Sequence, residues 1–152
     1  MNEPSVTHSN FVIERTYPAT PQRVFAAFAD PGRKRRWFAD TGESQQDEFQ
    51  MDFRVGGFER KRFRAKNGMN LKNDTVYMDI VPDKRIVFAY TMSVEDNRIS
   101  SSQSTVELLP AENGTRLVFT EQAAFFEGAD GPQMREGGWR HLLDNLGNLL
   151  QE

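Results

Sequence analysis

Residues 131–150 read GPQMREGGWRHLLDNLGNLL, and they change the periodicity of the chain. After the Gly131-Pro132 break, apolar residues fall at Trp139, Leu142, Leu143, Leu146, Leu149 and Leu150. At about 100° per residue these gather on one face, which predicts a long amphipathic helix packed on something large. The stretches before it supply the partner. Phe49, Met51, Phe53 and Val55 alternate with Gln50, Asp52 and Arg54. That pattern predicts a half-buried strand over 49–55, ending in a tight turn at Gly56-Gly57.

Working outward, residues 58–65 form a basic segment leading to a loop at Asn67-Gly68. Further strands are expected over 75–81, 85–94, 101–109 and 115–122, with turns at Pro82-Asp83-Lys84 and at 110–114. Near the start, Phe11, Ile13 and Tyr17 share one parity in a β-branched, aromatic stretch, a strand over 10–17 that Pro18 ends. Residues 1–8 are polar and are expected to be loose. Thr20-Pro21 reads as a helix start, because Thr can cap and Pro suits the first helical position. Val24, Phe25 and Phe28 follow at helical spacing, Asp30-Pro31-Gly32 interrupts, and a second short helix is expected over 33–38. The order is strand, two short helices, six strands and one long helix. Short turns make the sheet antiparallel, so the last helix must cover its apolar face.

Composition bounds the function. The 152 residues suit one domain over 1–152, and 12 Phe against 3 Tyr and 2 Trp favour dry burial. The net charge of -3 provides no field for nucleic acid or an anionic membrane. The absence of Cys removes disulfides, thiolate catalysis and Cys-ligated metals. No apolar run approaches a membrane span, and the first residues lack the pattern of a signal peptide, so the chain reads as cytoplasmic.

The element order, with four stretches, resembles a known family. The stretches are Ile13-Glu14-Arg15-Thr16-Tyr17-Pro18-Ala19-Thr20-Pro21 with Val24-Phe25; Asp30-Pro31 with Trp37-Phe38; Phe53-Arg54-Val55-Gly56-Gly57; and Gly137-Gly138-Trp139 with Leu142 and Leu146. Together, over roughly residues 10–150, they look like the START-like (SRPBCC) superfamily, and within it the group named for the activator of the heat-shock-protein-90 ATPase. The resemblance implies an α+β helix-grip fold: a curved antiparallel sheet of about seven strands over a long C-terminal helix, as in birch-pollen-allergen-like proteins. It also implies a space between sheet and helix that often holds a ligand. It does not imply one function.

Candidate lining residues for that space are Trp37, Phe53, Val55, Phe88, Tyr90, Leu108, Phe119, Trp139 and Leu143, which could equally form a solid core. Phe53, Phe88, Phe119, Trp139 and Leu143 are expected to bury together. Arg135, one turn before Trp139, could meet an anionic ligand head at the cavity mouth or simply snorkel from the helix start. Arg15 and Glu121 each interrupt an inward apolar register, and a buried pair between them is expected. His8 falls in the loose N-terminus and His141 on the wet face of the helix. Asp47 and Glu48 are adjacent in sequence, so on a strand they would point to opposite faces and could not act as a pair. No nucleophile elbow, P-loop or metal-ligand cluster is present, so neither catalytic residues nor metal nor cofactor are expected. The basic runs Arg33-Lys34-Arg35-Arg36 and Arg60-Lys61-Arg62-Phe63-Arg64-Ala65-Lys66 read as solvated surface or as a face for an acidic protein partner.

Three functions are compatible with this reading. The first is non-catalytic binding of a small hydrophobic or amphipathic molecule. The second is a co-chaperone-like protein-interaction module. The third is a cyclase- or hydratase-like enzyme using Tyr90 or Glu121, which requires a carboxylate with a raised pKa facing the cavity. The chain could act as a monomer or a homodimer.

Overall fold

The structure is a computed structural model, describing residues 3–40, 45–128 and 131–152. Its elements are β1 (Val6–Tyr17), α1 (Pro21–Ala29), α2 (Pro31–Lys34), a wide π turn (Arg35–Ala39), β2 (Gln45–Met51), β3 (Phe58–Arg64), β4 (Asn70–Val81), β5 (Arg85–Val94), β6 (Asn97–Ala111), β7 (Gly114–Phe126) and α3 (Pro132–Leu150). The seven strands form one antiparallel, curved sheet in the order β1-β7-β6-β5-β4-β3-β2. β1, first in the chain, therefore closes against β7, last in the sheet sequence. This is the expected helix-grip fold.

Local chemistry sets the helix boundaries. The Thr20 side chain accepts from the Arg23 backbone N–H at 3.2 Å, capping α1. Asp30 ends α1 through its own N–H and starts α2 through its carboxylate, which accepts from the Arg33 backbone N–H at 3.0 Å. The π turn that follows brings Trp37, Phe38 and Ala39 inward together. Trp37 donates to the Ala27 carbonyl at 2.9 Å and meets Phe28 edge-on, locking the helical unit into a compact wedge.

On α3 the buried positions are Arg135, Trp139, Leu143, Leu146 and Leu150, the stripe its periodicity predicts. Trp139 lies against Phe119 of β7, with ring centroids 4.3 Å apart. Phe88, Phe119, Trp139 and Leu143 belong to one core cluster, with Phe53 at its margin.

Several expectations are corrected. The strand expected over 49–55 stops at Met51. Gly56 has φ +83°, and a Cβ on Gly57 would lie 2.1 Å from the Asp52 carbonyl oxygen, so the chain doubles back before Val55 can join the ladder. The glycine pair then bonds Tyr77 of β4: the Gly56 N–H donates to its carbonyl and its N–H donates to the Gly57 carbonyl. Val55 is consequently 56% exposed. β1 begins at Val6, so His8 sits opposite Ala124 in an edge strand rather than in a loose tail.

The Arg15–Glu121 pair does not form. The strands are adjacent and both residues face the helix side, but the register sets Arg15 opposite Leu117 and Phe11 opposite Glu121. Arg15 instead reaches Asp144 on α3 at 3.1 Å. The Asp47 side chain lies outside the described residues, which leaves its relation to Glu48 untested.

Candidate functional site

Between the β3–β5 side of the sheet and the first half of α3 lies a cavity of about 370 Å³. That is within the roughly 300–1,000 Å³ usual for ligand sites. β3 contributes Glu59, Lys61 and Phe63, and β4 contributes Asn73 and Thr75. From β5 come Phe88, Tyr90 and Met92. α3 closes it with Met134, Arg135, Gly138, Trp139, His141 and Leu142, and Phe38 of the π turn forms the inner wall. Exposed Lys66, Met134 and His141 mark the opening to solvent.

Of the candidate lining residues, Phe88, Tyr90, Arg135 and Trp139 are brought together on this wall. Trp37, Leu108, Phe119 and Leu143 are buried in the solid core beside it. Phe53 packs on Phe25 and Tyr77 under α1, and Val55 faces solvent on the turn.

The polar interior of the cavity divides into two networks. In the first, Tyr90 is the centre. Its Oη donates to Glu121 Oε1 at 2.7 Å and accepts from Arg135 Nη1 and Trp139 Nε1, each at 3.1 Å. Arg135 also donates to Ser100 Oγ at 2.7 Å, and Ser104 donates to Glu121 Oε1 at 2.9 Å. The Arg135–Glu121 approach is 3.8 Å. Burial raises the Glu121 pKa against the opposing pull of the Tyr90 hydrogen bond and the Arg135 charge. Burial also raises the Tyr90 pKa, helped by Glu121, so the phenol stays neutral and can donate. Arg135 is therefore no snorkelling guard at the mouth: it is 7% exposed and held by β5, β6 and β7 groups. Glu121 lies behind Tyr90, outside the cavity lining.

The second network comes from the two basic runs, which are not wholly solvated. Arg33, Arg35 and Arg36 point outward, but Lys34 turns in and meets Glu59 at 2.5 Å, with Tyr77 donating to the same carboxylate oxygen. Lys61 also turns in, and is 7% exposed. Its ammonium donates to the Phe38 carbonyl at 2.7 Å and lies over the Phe38 and Phe63 rings. Burial lowers its pKa to about 8, with Glu59 pulling the other way and Lys34 adding to the fall.

The sequence reading missed Lys61, Glu59 and Phe63. Strand parity could have found them, since Glu59, Lys61 and Phe63 alternate with Arg60 and Arg62. The density of charge on both parities hid which face is inward. It missed His141 as well, which borders the opening rather than lying wholly on the wet face.

Among the described residues no group of three or more His, Asp or Glu could hold a metal ion, and no helix is long and apolar enough to cross a membrane.

A curved seven-stranded sheet gripping a C-terminal helix, with a cavity between the two, defines a START-like protein. Within that class the chain belongs to the family described as Activator of Hsp90 ATPase homolog 1-like protein, whose model matches residues 18–151. A solved protein from Rhizobium leguminosarum is similar at 41% identity and TM-score 0.95, over 99% of each chain. The Mll3558 protein from Rhizobium loti is similar at 50% identity and TM-score 0.89, covering 95% of this chain and 99% of that one. The CV1439 protein from Chromobacterium violaceum is similar at 26% identity and TM-score 0.75, with 95% and 99% covered. No curated protein matches the chain.

Proposed function

We infer that the protein binds a small amphipathic molecule in the cavity between β3–β5 and α3, without transforming it. The observation that carries this reading is the cavity itself, ligand-sized and walled by Phe38, Phe63, Phe88, Trp139 and Leu142, with a few polar groups placed among them. The residues lining it are not arranged for catalysis of the cyclase type. The carboxylate with a raised pKa, Glu121, sits behind Tyr90, and the carboxylate that does line the cavity, Glu59, is engaged by Lys34 and Tyr77.

Thermal melts with a panel of acyl and aryl compounds test the reading. A ligand that binds only the folded state adds about 2.7 kcal/mol at one hundred times Kd. For a chain of this size that is a rise of roughly 5–10 °C. Gly138→Trp, which places an indole into the cavity from α3, should abolish the shift. Gly137→Trp, one position outside the lining, should leave it intact. If no compound shifts the melt, and native mass spectrometry of fresh protein finds no bound small molecule, the reading fails. The protein-interaction role suggested by the family name then takes its place.

A further inference from the structure

Resting on that reading, we propose that the ligand is a monoanionic amphiphile, a medium-chain or aryl carboxylate, whose head group pairs with Lys61.

The charges around the cavity lead to the class. Glu59 is matched by Lys34. Arg135 is matched by Glu121 and further held by Tyr90 and Ser100. Lys61 is left over: among the described residues no carboxylate forms an ion pair with it, and it meets a backbone carbonyl and two aromatic faces. An ammonium has three N–H donors, and the Phe38 carbonyl takes one. A buried cation with spare donors, where the other buried charges of the cavity are paired, is complementary to one negative charge. A dianionic phosphate would bring a second charge that no further buried cation is left to meet, Lys66 lying in solvent at the rim.

Size and polarity agree with a short acid. At about 370 Å³ the cavity lies near the lower end of the roughly 300–1,000 Å³ of ligand sites, which suits a short acid rather than a long-chain lipid. An eight-carbon acid fits, with its chain against Trp139, Phe88 and Leu142 and its carboxylate toward β3.

The charge state of Lys61 makes the assignment testable by pH. The free amine, with a pKa of about 8, is largely protonated at pH 7 and loses its proton just above. A bound carboxylate favours the charged form and raises that pKa, so binding takes up a proton near pH 8–9 and weakens as pH rises. The other groups facing Lys61 are Glu59 on its own strand, Lys34 from α2, Tyr90 from β5, Arg135 and His141 from α3, and Lys66 at the rim; β4 offers only the neutral Asn73 and Thr75. His141→Gln removes the one imidazole among them.

Isothermal titration with octanoate and its neutral isostere octanamide decides the matter. At pH 7 octanoate should bind about tenfold or more tightly than octanamide, the scale of one charge-assisted hydrogen bond. Its affinity should fall about three- to fivefold between pH 8 and pH 9 while that of octanamide stays flat, in the wild type and in His141→Gln alike. Lys61→Met and Lys61→Gln should bring the two ligands within about twofold of each other, through loss of octanoate affinity alone. Equal binding of the two by the wild type, a preference that survives both Lys61 variants, or an octanoate affinity flat across pH 8–9 overturns the assignment while leaving the cavity as a binding site. Failure of both ligands to bind overturns the assignment together with the reading it rests on.

Discussion

The chamber under the sheet has two ends built from the same sheet and the same helix, and they are filled differently. Under β1, β7 and α1, the second half of α3 shares one core cluster with Tyr17, Val24, Phe28, Trp37 and Leu117, all buried and, apart from the Tyr17 hydroxyl and the Trp37 N–H, all apolar. Under β3–β5 the inward positions carry Glu59, Lys61 and Thr75, with Ser100, Ser102 and Ser104 beside them on β6. Hydrocarbon side chains can interdigitate until no space remains. Charged and hydroxylic ones are held where their hydrogen bonds are, and the space between their networks stays open. In this molecule the packed end and the hollow end thus differ in the polarity of the inward side chains along one continuous sheet.

The largest expected effect tests the packed end. Leu146 is fully buried there, so Leu146→Ala should cost about 3–5 kcal/mol in urea unfolding. Leu142, four residues earlier and half-buried on the cavity wall, should lose about 1 kcal/mol or less on the same change, because part of its surround is already empty. Equal losses would mean that the two ends are equally packed.

Lys61→Met comes next and has the opposite sign. The folded-state pKa of about 8 lies below the ordinary 10.5, so the charged amine is disfavoured in the fold. A gap of that size corresponds to about 3 kcal/mol at pH 7. Stranding the Phe38 carbonyl offsets about 1 kcal/mol of it. The variant should therefore be about 2 kcal/mol more stable than wild type at pH 7. Between pH 8 and 10.5 the unfolded chain holds the extra proton, so wild-type stability rises and the advantage shrinks. Unfolding curves at pH 7, 9 and 10 read this directly. A variant less stable than wild type at pH 7 would show that the Lys61 charge supports the fold, and would remove the reason for assigning it to a ligand.

The same contrast explains what could be read in advance. The packed end was legible: the α3 stripe, the β1 parity and the Thr20-Pro21 start each follow from one period and one residue type, and each appears in the fold. The Arg15–Glu121 pairing failed because inward parity says which face a side chain takes, while register says which neighbour it meets, and the sequence specifies only the first. At the hollow end the sequence offers Phe88, Tyr90 and Trp139 equally as lining or as solid core, and gives no sign of Lys61 or Glu59. A basic run reads as surface unless the π turn that tucks Phe38 and Lys34 inward is known, and that turn has no periodic signature. Val55 was misplaced because alternation was carried past Met51 into a turn that Gly57 forces by close approach.

Three glycines on α3 give the smallest effect and the finest comparison. A Cβ on Gly137 or Gly138, near the hollow end, would meet nothing within 4 Å. A Cβ on Gly147, at the packed end, would come within 3.1 Å of Tyr17 Cε1. Replacing an interior helical glycine by alanine stabilises by about 1 kcal/mol when nothing else changes. Gly137→Ala and Gly138→Ala should each gain that amount. Gly147→Ala should not, because the Tyr17 ring has little freedom to retreat. Its backbone is laddered to Thr115 and its hydroxyl donates to the Leu143 carbonyl of α3 at 2.7 Å, and overpacking a held ring costs about 1–3 kcal/mol. A net loss near 1 kcal/mol is expected for Gly147→Ala, read as a lower melting temperature beside two raised ones. If all three variants gained equally, the Tyr17 end would have slack, and polarity rather than packing would be the whole difference between the two ends.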